Sequence, residues 1–376
     1  MNKAIKLACW TMIAAVAPQT ASAAPAAHSS ALSTGEHEFR VGDVRLWYRV
    51  AGRSRGVPLV FLHGGPGQGS QTFQAVGGPQ LERTQRVVYF DQRGAGRSDR
   101  PSDPAKYSMA IMVEDVEHLR RHLGVPSIAL LGHSFGTQLA LEYAARYPQH
   151  TAAVVLAGTA ANLLLSLDLQ CQRLASEDPD AYARAVNGLR PGAFPRCNSM
   201  QAYAGDAARA FARRNLFPDP AVADLVERLD SADGLAPTGE ASRALFSQGY
   251  LQYRFTRATQ VLAPVLMIAG GRDFQAALEP QRDLAGELPH ARLLVYPRNG
   301  HFMFVEAPRR FARDVTNFLR RARSAERSAA GENRRRGEAD VRSNVSQRVA
   351  CPERSRREAL SAGQRVALSP SKGEPD

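Results

Sequence analysis

The stretch LLGHSFGTQLALEYAA, Leu130 to Ala145, decides how this chain folds. Its first residues continue an apolar run that starts at Ile128, and its last ones repeat with helical spacing. Between the two, Ser134 is flanked by Gly132-His133 and Phe135-Gly136. A G-x-S-x-G element where a strand turns into a helix puts its serine in a strained backbone conformation, while the glycines leave room for neighbouring backbone. The serine oxygen then projects from the sheet edge at the positive end of the following helix. A free serine is a poor nucleophile and needs a base. A histidine fills that role near neutral pH, with a carboxylate to fix its tautomer.

Outward from that point the same design recurs. PLVFLHGGPG, RVVYFDQRGAGRS, TAAVVLAG, APVLMIAGGRD and ARLLVYPRNGH each read as a short strand. SMAIMVEDVEHLRRHLG reads as a helix with Ser108 as its cap and Gly124 as its stop, and EPQRDLAGEL and APRRFARDVTNFLRRA read as further helices. HEFRVGDVRLWYRVAG reads as a hairpin around Gly42-Asp43. Continuous apolar strands alternating with amphipathic helices imply an α/β fold, a parallel sheet covered on both faces. Ligands bind such sheets beyond the carboxyl ends of the strands. HGGPG, DQRGAGRS, GHSFG, GGRD and NGH all fall at those ends.

The acid and the base follow from chain order, which in this architecture runs serine, acid, histidine. Asp273 ends one strand and His301 another, both after Ser134. Asp283 and Asp314 are rival acids, but each falls within a helical pattern, and Asp99 and Asp103 follow the DQRG loop. His133 adjoins the serine but points away from it, and His63 braces the HGGPG loop. Acyl transfer also needs donors for the oxyanion. The N–H of Phe135, just after the nucleophile, is one, and the N–H of Gly65 in HGGPG is the other.

Between about 160 and 255 the strand-helix alternation stops, and the segment reads as a helix-rich insertion. It carries 11 Asp/Glu and 10 Lys/Arg, so bulk charge does not select what it recognises. Cys171 and Cys197 lie in it, either paired or free. A bridge there would contribute about 3–4 kcal/mol on the chain-entropy account.

The two ends differ from the middle. Met1 to Ala23 has basic Lys3 and Lys6, an apolar stretch over Leu7 to Val16 and a small-residue Ala-Ser-Ala end. That pattern is a secretory signal peptide, and it implies export to the periplasm or beyond, where disulfides persist. From Arg320 onward the chain has no aromatic residue, 14 Lys/Arg and 8 Asp/Glu. Half of the formal net charge of +12 therefore sits in a tail that cannot bury enough apolar surface to order itself. The expected organisation is a signal peptide over 1–23, a core over 37–159 and 256–321, a helical cap over 160–255 and a disordered basic tail over 322–376. The mixed signs of the tail argue against nucleic-acid binding, and the apolar stretch of the leader is too short to span a membrane. No Cys/His spacing suits a metal, and GGPGQGS lacks the lysine of a nucleotide loop, so no cofactor is expected.

Taken together, GHSFG, HGGPG and DQRGAGRS resemble the α/β-hydrolase family, and the last two resemble its proline iminopeptidase branch. The resemblance covers most of residues 40 to 320. It implies an eight-stranded, mostly parallel sheet with a helical cap inserted after the sixth strand. It carries the triad roles onto Ser134, Asp273 and His301 and the oxyanion roles onto Gly65 and Phe135. It also implies cap carboxylates that hold a substrate ammonium, with Asp168, Glu177, Asp206 and Glu240 as candidates. The branch usually has GGSWG at its elbow where this chain has GHSFG. The expected activity is a serine hydrolase on a small ester or amide, with release of N-terminal proline from short peptides as one outcome. The alternatives are a carboxylesterase of the same fold and a ligand-binding protein without turnover.

Overall fold

The computed structural model describes residues 30–193, 196–197, 213, 216–235, 237–325 and 328. The signal segment over 1–23, Asp206 and nearly all of the basic tail lie outside the described residues.

Eight strands form one sheet in the order β1-β2-β4-β3-β5-β6-β7-β8. They are β1 (Gly35–Val41), β2 (Val44–Ala51), β3 (Leu59–Leu62), β4 (Val87–Asp91), β5 (Ile128–His133), β6 (Thr151–Ala157), β7 (Val265–Gly270) and β8 (Ala291–Tyr296). The β1-β2 hairpin turns at Gly42-Asp43 and runs antiparallel, as does the β2-β4 pair. Every other pair is parallel. The strands with continuous apolar runs, β3 to β7, are thus the inner ones.

Alternation along each strand divides the core into two layers. Val60, Leu62 and Leu130 face a cluster that includes Val113, Val116 and Leu139. Those three lie on the helices α2 (Met109–His122) and α3 (Phe135–Arg146). Leu59, Phe61 and Leu131 face the other cluster, with Phe73, Phe304, Phe311 and Val315. There Phe61 stacks on Phe73 with ring centroids 3.8 Å apart. Each such side chain buried from water stabilises the fold by about 1.5–3 kcal/mol. The helices begin and end where local chemistry says they should. The Ser108 hydroxyl accepts from the Ile111 N–H at 3.3 Å and caps α2. Gly124 follows that helix at φ +66°, which a side chain would disfavour.

Helices α4 (Leu163–Glu177), α5 (Pro179–Val186), α6 (Pro220–Asp230) and α7 (Glu240–Ser247) lie between β6 and β7 in the chain. Among the described residues this insertion adds only an isolated bridge, Asn162 to Arg254, and no strand to the sheet. A disulfide joins Cys171 to Cys197 with Cα atoms 5.8 Å apart. Helix α8 (Leu278–Glu287) follows β7, a helical turn spans Met303–Glu306, and the last helix covers 308–325. That helix passes the core boundary expected at 321. Ala322 packs on the core and Arg323 donates to the Gln85 amide oxygen at 2.9 Å, so the amphipathic pattern is satisfied a turn further than the composition suggests. No helix among the described residues is long and apolar enough to cross a membrane.

Candidate active site

Ser134 sits at the junction of β5 and α3 with φ +52° and ψ −120°. The glycines explain how the chain reaches that conformation. A Cβ at Gly132 would collide with the Gly136 carbonyl, and one at Gly136 with the Leu62 carbonyl. The turn is pinned from both sides: the Ser134 N–H donates to the Ala157 carbonyl at 3.0 Å, and the Thr137 N–H to the Ser134 carbonyl at 2.9 Å.

His301 and Asp273 meet across the loops that follow β7 and β8. His301 Nδ1 donates to Asp273 Oδ2 at 2.8 Å, and both residues are buried. Asp273 Oδ1 accepts from the backbone N–H groups of Gln275 and Ala276, each at 2.9 Å. The carboxylate is thereby fixed, and an imidazole whose Nδ1 carries the proton keeps Nε2 as its acceptor. The ring lies against the end of β6, where a Cβ on Gly158 would come within 3.1 Å of His301 Nδ1. Ala157, which holds the Ser134 amide, is the neighbour of that glycine. Ser134, Asp273 and His301 thus follow the carboxyl ends of the parallel strands β5, β7 and β8, at one edge of the sheet. Asp283 stays within α8, and Asp314 accepts from the Tyr296 hydroxyl at 2.8 Å.

Two more groups hold His301 and are invisible as motifs. The Nε2 of His133 donates to the His301 carbonyl at 3.0 Å. Burial pushes the His133 imidazole well below its usual range, so it stays neutral. Glu306 accepts from the Gly300 N–H at 2.8 Å, and burial raises its carboxyl.

The HGGPG loop runs beside the serine. A Cβ on Gly64 would lie 3.1 Å from the Ser134 Cβ. Gly65 follows at φ +113°. As the first residue of α3, Phe135 has an N–H without an intrahelical acceptor. His63 braces the loop: its Nε2 accepts from the Gln92 N–H at 3.0 Å and its Nδ1 donates to the Gly64 carbonyl at 2.9 Å. Burial lowers the His63 pKa. Asp91 of DQRGAGRS accepts from both the N–H and the hydroxyl of Ser70, at 2.9 and 2.5 Å, and from the Arg97 N–H at 3.0 Å. In the same motif Arg93 forms a buried fork with Asp115, both bonds at 2.5 Å. DQRGAGRS is therefore a brace for the loop beside Ser134.

The cap lies over this edge. The His301 N–H donates to the Leu216 carbonyl at 3.2 Å, and Phe217 stacks on Phe302 with centroids 4.9 Å apart. Of the expected cap carboxylates, Asp168 pairs with Arg196 at 3.3 Å and Glu177 with Arg173 at 2.7 Å. Glu240 accepts from the Tyr107 hydroxyl at 3.0 Å. An unforeseen acid, Asp230 at the end of α6, reaches the HGGPG loop instead. It accepts from Gln68 Nε2 at 2.6 Å and from the Thr72 hydroxyl, and burial raises its carboxyl. Nothing near Asp230 in sequence marks it, because Gln68 is 162 residues away.

Comparison with known proteins agrees with this fold. Residues 57–308 match the family described as the alpha/beta hydrolase fold. The proline iminopeptidase of Lactiplantibacillus plantarum is 28% identical over 272 residues, which are 69% of this chain and 91% of that one. That of Xylella fastidiosa is 37% identical over 149 residues, 39% of this chain and 47% of its own. The crystal structure of a proline iminopeptidase-related protein from Thermus thermophilus superposes with a TM-score of 0.64 at 28% identity, covering 76% of this chain and 97% of that one. With the family model spanning most of the chain and the sheet, elbow and cap in place, this protein belongs to the α/β-hydrolase fold family and resembles its proline iminopeptidase branch.

Proposed function

We propose that this hydrolase works through an acyl-enzyme formed on Ser134. His301 Nε2 takes the proton from the Ser134 hydroxyl as the oxygen attacks the substrate carbonyl. Asp273 keeps the imidazole in the required tautomer and stabilises the imidazolium. The Gly65 and Phe135 N–H groups receive the oxyanion. Collapse expels the alcohol or amine, which leaves with the proton from His301. Water then repeats the sequence on the acyl group and frees Ser134. The observation that carries this reading is the 2.8 Å bond between His301 Nδ1 and Asp273 at the edge where Ser134 sits at positive φ.

The substrate in this reading is a small ester or amide, with peptides bearing N-terminal proline as the first class to test. Asp230 supports that class, as a half-buried carboxylate beside the HGGPG loop, placed to receive a substrate ammonium. A carboxylesterase is the second reading. It is favoured by the two donors Asp230 already has and by the burial that favours its neutral form. Export is part of the proposal, supported by the Cys171–Cys197 disulfide.

A fluorophosphonate probe should label wild-type protein and not Ser134→Ala. Folded wild type that resists the probe would sink the acyl-enzyme. Turnover of proline-naphthylamide, its N-blocked counterpart and p-nitrophenyl esters then separates the two readings. A requirement for the free amine selects the peptidase, and ester turnover alone selects the esterase.

A further inference from the structure

A cavity of about 510 Å³ opens between α2, the C-terminal half of α3 and the cap segment around Tyr250. Ser134, Gly65, Asp273 and His301 take no part in its lining. The volume is in the range of small-molecule sites.

Its lining has two chemistries. Met109, Ala110 and Val113 of α2 and Leu245 of α7 give it an apolar wall. Arg146, Arg254 and Arg257 bring three guanidinium groups, with Glu142 as the carboxylate among them. Arg146 is answered by Glu114 at 2.7 Å and Arg257 by Glu142. Arg254 is exposed and has no carboxylate partner among the described residues. The cavity therefore keeps a surplus guanidinium beside an apolar wall. Guanidinium forks match carboxylates in plane and spacing, and the wall suits a hydrocarbon body. Tyr250 ties the cavity to the nucleophile helix: its hydroxyl donates to Gln138, and its ring meets Phe135 edge-on with centroids 5.7 Å apart.

We propose that this cavity is a second binding site, separate from the catalytic centre, for a small amphiphilic carboxylate. The ligand's anionic head would pair with Arg254 and its apolar body would lie on α2.

Isothermal titration with sodium octanoate and with octanamide tests this on the full chain. Octanoate should bind, and octanamide should bind about tenfold or more weakly because it lacks the charge. Arg254→Gln should weaken octanoate by a similar factor. Ala110→Trp fills the cavity from an exposed position on α2, which spares the fold, and should abolish the binding. Three results would overturn the proposal: wild type that does not bind octanoate, octanamide binding equally well, or undiminished octanoate affinity in both variants. The last of these would put the ligand elsewhere, the catalytic centre included.

Discussion

His301 belongs to the core and Asp230 to the cap, and the two are held differently. His301 is fixed by the core: Asp273 at its ring, His133 at its carbonyl and Glu306 on the preceding amide. Asp273 in turn leans on two backbone N–H groups. Asp230 comes from the cap and is held by two side chains, Gln68 and Thr72. Backbone groups cannot be exchanged by substitution, whereas side-chain partners can. The contrast teaches that the core anchors Asp273, and through it His301, on backbone groups, while Asp230 of the cap rests on replaceable side chains alone.

The hardest test of that contrast is at Asp273. Asp273→Asn should keep the fold and lower turnover by about 10⁴, as a wrong tautomer does in other triads. Steady-state kinetics beside a thermal melt would check it, and a fall of less than tenfold would remove Asp273 from the mechanism. Next comes the loop beside Ser134. Gly65→Val should cost about 10²–10³ in kcat with the probe still reaching Ser134, since one oxyanion donor is obstructed.

On the cap side the largest effect is on stability. The Cys171–Cys197 disulfide packs with Leu174, Ala181, Ala185 and Phe274, the residue after Asp273. Replacing both cysteines by serine should lower unfolding stability by about 3–4 kcal/mol, read by denaturant melts. Ester turnover should stay within a few-fold of wild type if the core alone sets the chemistry. A collapse of turnover in protein that remains folded would erase the distinction between core and cap. The smallest effect separates the substrates. Asp230→Asn should raise KM for proline-naphthylamide about tenfold to hundredfold, the worth of a charge-assisted bond, and leave p-nitrophenyl ester kinetics unchanged. Equal changes for both substrates would make Asp230 a prop for the loop rather than a reader of amines.

Much of the core is legible in the sequence because its signals are local. The strand run into GHSFG, the Ser108 cap and the Gly42-Asp43 hairpin each declare themselves within a few residues, and all are present. The placement of Ser134, Asp273 and His301 at one edge is legible because parallel strands deliver their ends there. The cap is legible only as an insertion. Asp230 finds Gln68 through a contact across 162 residues, and no pattern within α6 announces it. The elbow marks His133 as turned away, which is half of its story. Its bond to the His301 carbonyl spans 168 residues and depends on how β5 and the loop after β8 meet. The last helix runs past Ala322, where its sequence pattern ends, and there Arg323 meets Gln85 through a contact across 238 residues.

The φ of +52° at Ser134 matters beyond the reaction. Glycine takes such a backbone conformation freely, whereas serine holds it at a penalty of order 1 kcal/mol. A glycine there would relax the junction and discard the hydroxyl in one step, which on the proposed mechanism leaves a sturdier but inert scaffold. Selection for persistence alone would therefore push this lineage toward silence, and only a demand for turnover opposes that drift.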